Sequence, residues 1–144
     1  MSASIRTQII AAIKTALNAP GAPCKFWRCR QAEFQADELP AGNFFPIDEN
    51  DQIDAGENEA VLNLEVASVI AAADDPVDEA IEPMIAWMDQ QLQADGTWGG
   101  LAVYTELKSL KWFFAQKGAE QCGAIRAVDI HFRTALTDST ANDS

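Results

Sequence analysis

Residues 60–72, AVLNLEVASVIAA, constrain this chain more than any other stretch: Leu62, Leu64, Val66 and Ile70 fall in one phase and Asn63, Glu65 and Ala67 in the other. Successive side chains of a strand point to opposite faces, so the pattern predicts a strand with one face on a core and the other toward water. Such a strand needs partner strands and helices to cover its apolar face.

Two segments have the helical period that could supply that cover. Ile5, Ile9, Ala12, Ile13, Ala16 and Leu17 recur at spacings of three and four behind a candidate Ser4 cap, and Asn18 to Pro23 should end the helix. Asp74-Asp75-Pro76 is a helix start, with Asp75 as cap and Pro76 in the first turn. Val77, Ile81, Met84, Ile85, Met88 and Leu92 then form an apolar stripe, and Gly96 is a natural stop. Pro83 lies beyond the first turn and should either kink this helix or split off its opening turn.

Further strands are expected over Lys25–Ala32, Leu39–Ile47 and Ala124–Leu136, the last placing Val128, Ile130, Phe132 and Leu136 on one face and Asp129, His131 and Arg133 on the other. After a turn at Gly96–Gly100, Leu101, Val103, Thr105 and Leu107 alternate, and the phase then shifts to Leu110, Trp112 and Phe114, which implies a bulge or a second strand. Asp48–Glu59 reads as a polar hairpin loop. The expectation is one α+β domain over residues 1–136, with two helices on one face of a mainly antiparallel sheet, and a disordered tail over 137–144.

Charge and composition exclude several function classes. Ten Lys and Arg against 22 Asp and Glu leave a net charge of -12, which repels phosphate backbones, so specific nucleic-acid binding is not expected. The apolar runs fall short of the roughly 20 residues of a membrane-spanning helix, and residues 1–7 lack the pattern of a secretory signal, which points to the cytoplasm. Three cysteines, Cys24, Cys29 and Cys122, cannot pair completely, and this fits a reducing compartment.

No catalytic, cofactor or metal site is expected. His131 shares a strand face with Asp129 and Arg133 but has no nucleophile placed locally for it, and an exposed or cross-strand-paired histidine is the plainer reading. Cys24 and Cys29 are spaced to point to opposite faces of a strand and lack partners for a tetrahedral zinc site. Asp48, Asn50, Gln52, Asp54 and Glu59 imitate the ligand spacing of a calcium loop, but Ile53 stands where that loop needs glycine. Gly96, Gly99 and Gly100 match no nucleotide-binding spacing. The surplus aromatics, chiefly Trp98 and one member of each of the pairs Phe44-Phe45 and Phe113-Phe114, are candidates for a subunit interface.

The helix SIRTQIIAAIKTALNA, the segment ELPAGNFFPIDE, the strand AVLNLEVASVIAA, the helix DEAIEPMIAWMDQQLQAD with GGLAVYTELKSLKWFF after it, and the strand AIRAVDIHFRTAL together resemble, in kind and order, the tail terminator and related minor tail proteins of long-tailed, lambda-like bacteriophages. The likeness spans about residues 4–136 and rests on segment order, without a catalytic signature. It implies a non-enzymatic subunit of a hexameric ring that caps the tail tube, ends its polymerisation and presents a surface for head joining. The partners would be copies of itself, the tail tube protein and a head-tail joining protein, in a virion tail assembled in the bacterial cytoplasm. Asp48, Glu49, Asp51 and Asp54, if they face the channel of such a ring, would repel passing DNA. The alternatives are another neck or minor tail protein, or a small enzyme or ligand-binding α+β domain built around Asp129 and His131.

Overall fold

Ser4 opens the first helix, α1 (Ile5–Leu17): its Oγ accepts the Thr7 backbone N–H at 3.1 Å, satisfying one of the donors a helix start leaves unpaired. The computed structural model describes residues 4–54, 57–71, 76–114 and 121–135. Ile5, Ile9, Ile10, Ile13 and Leu17 form the buried face of α1. Asn18 ends the helix and anchors the first strand, because its side-chain amide accepts the Phe26 N–H at 2.8 Å and donates to the Phe26 carbonyl at 2.9 Å.

That clamp sets β1 (Lys25–Arg28), shorter than the expected Lys25–Ala32. The strand stops where Cys29 takes a positive φ of 54°, and Asn43 then grips both backbone groups of Arg30 as Asn18 grips those of Phe26. β1 runs parallel to β2 (Ala41–Asp54), so residues 29–40 must cross back to the start of β2. Arg30 holds that crossover in place. Its guanidinium makes two bonds of 2.7 Å to the Glu38 carboxylate and lies over the rings of Trp27 and Phe34.

The acidic run at residues 48–59 is where the structure departs most from expectation. β2 continues to Asp54 and β3 (Glu57–Ala71) begins at Glu57, the two paired antiparallel from Ala41 with Val69 down to Asp54 with Glu57. The run is thus the far half of a long hairpin, with an irregularity between Pro46 and Asp48. Strand formation here comes from cross-strand hydrogen bonding and not from an apolar face, so hydrophobic periodicity had nothing to detect.

Pro83 divides the second helical segment. A short turn, α2 (Val77–Ala80), precedes α3 (Glu82–Ala94), and Pro83 falls in the first turn of α3, where its missing N–H costs no helical bond. Buried Ile81 sits at the junction. The proposed Asp75 cap, Leu136 and the tail at 137–144 lie outside the described residues. β4 (Tyr104–Phe113) shifts register between Leu107 and Leu110, the irregularity its phase change predicted, and β5 (Gln121–Ala135) closes the fold.

The sheet order is β1-β2-β3-β5-β4, antiparallel except for β1 with β2, which makes the protein an α+β fold. Phe26, Phe44, Leu62, Leu64, Val66, Val128, Ile130 and Phe132 meet Ile9, Ile13, Leu17, Met84, Met88 and Leu92 of the helices in one core. Two bidentate ion pairs fasten helix to sheet: Arg6 of α1 to Glu49 of β2 and Arg126 of β5 to Asp89 of α3.

Gly123 and Gly42 mark close approaches. A Cβ at Gly123 would overlap the Ser68 carbonyl oxygen of β3, and one at Gly42 would overlap the Phe26 ring. Gly123→Ala should therefore lower stability by about 1–3 kcal/mol, and Gly42→Ala by a similar amount, as overpacking does. Urea unfolding checks both; full wild-type stability of Gly123→Ala would mean the two strands are less closely apposed.

Hydrogen bonding from Arg30, then from the Gln35 backbone, lowers the Glu38 carboxyl from 4.5 to about 2. A folded-state value below the unfolded one contributes stability above pH 4.5, which is lost as pH falls toward about 2. Glu38 is solvent-accessible, so the effect is small and screened by salt. Acid titration of tryptophan fluorescence should show the crossover loosening in that window in the wild type, and no such step in Glu38→Gln.

Candidate functional site: a groove on the open sheet face

Strand register alone assembles the site. β3 pairs with β5 and β5 with β4, so the residues between the core positions share the face away from the helices. Tyr104 lies opposite His131, Glu106 opposite Asp129, and Glu59 opposite Arg133. The Tyr104 and His131 rings stack at 4.0 Å with an interplanar angle of 12°. Arg133 Nη2 sits 3.2 Å from Glu59 Oε1. Lys108 Nζ lies 3.3 Å from Glu106 and 3.8 Å from Asp129.

His131 Nε2 is cut off from solvent and has no hydrogen-bond partner. The nearest carboxylate oxygen, Glu106 Oε2, is 3.7 Å away, beyond hydrogen-bonding distance. Ligand atoms of Glu106, Asp129 and His131 all lie within 4.8 Å of one another. Beside them Asn50, Gln52, Glu59, Val61, Tyr104, His131 and Arg133 line an open groove of about 430 Å³.

Asp129, His131 and Arg133 do share one face, as their spacing requires. Sequence reasoning missed Glu106 and Tyr104. The alternation of β4 carried the signal, but which of its faces meets His131 depends on the pairing register and on the irregularity after Leu107, and neither can be read from one strand alone.

The structure places the interface candidates in different surroundings. Trp98 is buried, 6% exposed, and its indole N–H donates to Thr105 Oγ1 at 2.8 Å. The Asp95 carboxylate accepts bonds from Thr97 and Gly99 and so folds the turn that turns Trp98 inward. Glu49 is committed to Arg6. Burial, then repulsion from Glu49, raises the Asp51 carboxyl above its ordinary value. Asp48 is exposed; the side chain of Asp54 is not among those described. Phe44 is buried while Phe114 is 60% exposed, so each phenylalanine pair contributes differently to core and surface.

The thiols are set apart by environment. Burial pushes Cys24 up to about 12 and also raises Cys122, whereas Cys29 is exposed. The thiolate is the reactive form, so iodoacetamide at neutral pH should label Cys29 first, by at least about tenfold in rate over Cys24. Peptide mass mapping of a time course checks this; equal labelling would refute the burial of Cys24.

Chemically, the face offers an imidazole, three carboxylates and two cations, of which His131, Glu59 and Arg133 line the open groove, and this suits holding a cation or a polar group. No known family model matches the chain, and neither does any curated protein.

Proposed function

We propose that the protein is an assembly subunit that associates head to tail with copies of itself into a ring, as a tail-terminator-like component that caps a phage tail tube and offers a head-joining surface. The carrying observation is the placement of exposed apolar side chains at opposite sides of the sheet. Tyr104, Trp112 and Phe114, at 48%, 43% and 60% exposure, lie on or beside the edge strand β4, and Ile47, at 49%, lies on β2 beyond the end of short β1. An open edge strand flanked by aromatics favours protein association. Exposed apolar groups at opposite ends of the strand order suit a heterologous contact, which closes into a ring when the rotation between neighbours is right.

A variant pair tests this directly. Trp112→Lys and Ile47→Asp should each remain folded monomers and fail to form rings. Mixed together they should give a single one-to-one dimer, because one intact patch remains on each. Light scattering and negative-stain images, with and without tail tubes, read the outcome. Salt should promote wild-type rings by screening the net charge of -12. Strict wild-type monomers that never bind a tube end would sink the proposal.

The groove beside His131 supports a second reading, a ligand-binding domain, since convergent polar groups around a concavity are what such sites have. It predicts that Arg133→Ala and Gln52→Ala abolish function without altering association, the reverse of the outcome for Trp112→Lys.

A further inference from the structure

The geometry points to a divalent transition-metal site formed by Glu106, Asp129 and His131, taking a Zn²⁺-like ion. Two carboxylates and one imidazole nitrogen converge there, with all three ligand atoms within 4.8 Å. His131 Nε2 is the telling atom: it is removed from solvent, lacks any hydrogen-bond partner, and stands 3.7 Å from Glu106 Oε2. A buried side-chain nitrogen without a partner is uncommon in a folded protein and calls for an explanation. Tyr104, stacked on the imidazole at 4.0 Å, holds the ring in orientation.

The donor set selects the ion. Imidazole with carboxylates suits zinc, cobalt and nickel, whereas an all-oxygen shell would suit calcium or magnesium. In a tetrahedral site, metal–ligand bonds of about 2.0–2.2 Å put donor atoms roughly 3.3–3.6 Å apart, so the ligand atoms must draw together by about an ångström on binding. Asp129 and His131 start from neighbouring positions on one strand face, and the 46% exposed Glu106 side chain, now paired with Lys108, would turn toward them. Three protein ligands leave one position of a tetrahedral site for water or a ligand.

A cation already occupies part of this region. The Lys108 ammonium lies 3.3 Å from Glu106 and 3.8 Å from Asp129, so a divalent ion would take its place between the two carboxylates. Lys108 is therefore a built-in competitor, and its removal has a sign that a merely structural role would not produce.

The test titrates the full chain with Zn²⁺ and Co²⁺ in a Cys29→Ser background, which removes the exposed thiol. Wild type should bind one ion, and Co²⁺ should give visible d–d bands without a thiolate charge-transfer band. His131→Gln and Glu106→Gln should weaken binding by more than about tenfold, since losing even an outer-shell partner costs that much. Glu106 is on the surface, so its variant keeps the fold, and circular dichroism verifies this. Lys108→Gln should tighten binding several-fold. No stoichiometric binding, binding that survives both ligand variants, or binding that Lys108→Gln leaves unchanged or weakens would each overturn the assignment.

Discussion

The ladder between β3 and β5 is the constraint on which the rest of the structure depends. Fifteen residue pairs run in unbroken register from Glu57 with Ala135 to Ala71 with Gln121. A slip of one residue would exchange the two faces of either strand, sending Leu62, Leu64 and Val66 to water and Asn63 and Glu65 into the core. Burial of those side chains thus fixes the register. Ser68, bonded to the Met88 sulfur at 2.9 Å, and Thr134 near the far end are the buried polar residues of that ladder among those described. Because the ladder is central, it also decides what stands opposite what on the far face, and the grouping of Glu59, Asp129, His131 and Arg133 is a by-product of packing the core.

Around that centre the peripheral elements are held by polar clamps more than by area. β1 has four residues and buries one large side chain, Phe26. It is kept in place by Asn18 at one end and by Asn43, through Arg30, at the other. Each amide satisfies a backbone donor and acceptor that a short edge strand would otherwise leave to water. Trp87 does the same across the helices, donating its indole N–H to the Leu17 carbonyl at the C-terminal end of α1. These bonds orient elements whose apolar contact alone would allow them to slide.

The legibility of the sequence divides along the same line. The core strand, the two long helices, the Ser4 cap and the phase break in β4 all leave a periodic or positional trace in local sequence, and all are present. Pro83 limited the outcome to two possibilities, and the split is the one that removes the steric conflict. The acidic hairpin, by contrast, forms strands with polar side chains on both faces, which local sequence cannot distinguish from a loop. Trp98 precedes two glycines in a turn, and only the bond to Thr105 and the Asp95 network show that it turns inward. Glu106 could not be grouped with His131 because the link between them is a register, not a spacing.

The distribution of charge sets the terms on which any copy of this protein can meet another. Of ten Lys and Arg residues, Arg6, Arg30, Lys108, Arg126 and Arg133 are engaged with carboxylates of their own chain. Intramolecular pairing thus occupies half of the cations that could otherwise have bridged to a neighbour's acidic groups. Neighbouring copies feel a net repulsion that extends over a Debye length, about 8–10 Å near physiological salt. Only short-range contact can overcome it, and in the proposed assembly the exposed apolar groups at Ile47, Tyr104, Trp112 and Phe114 would supply that contact. Repulsion at long range with attraction at contact is a balance that disfavours spontaneous association in dilute solution and favours it where a template raises the local concentration. If the proposed assembly role holds, such a balance would give a ring that forms on a tube end and seldom away from one.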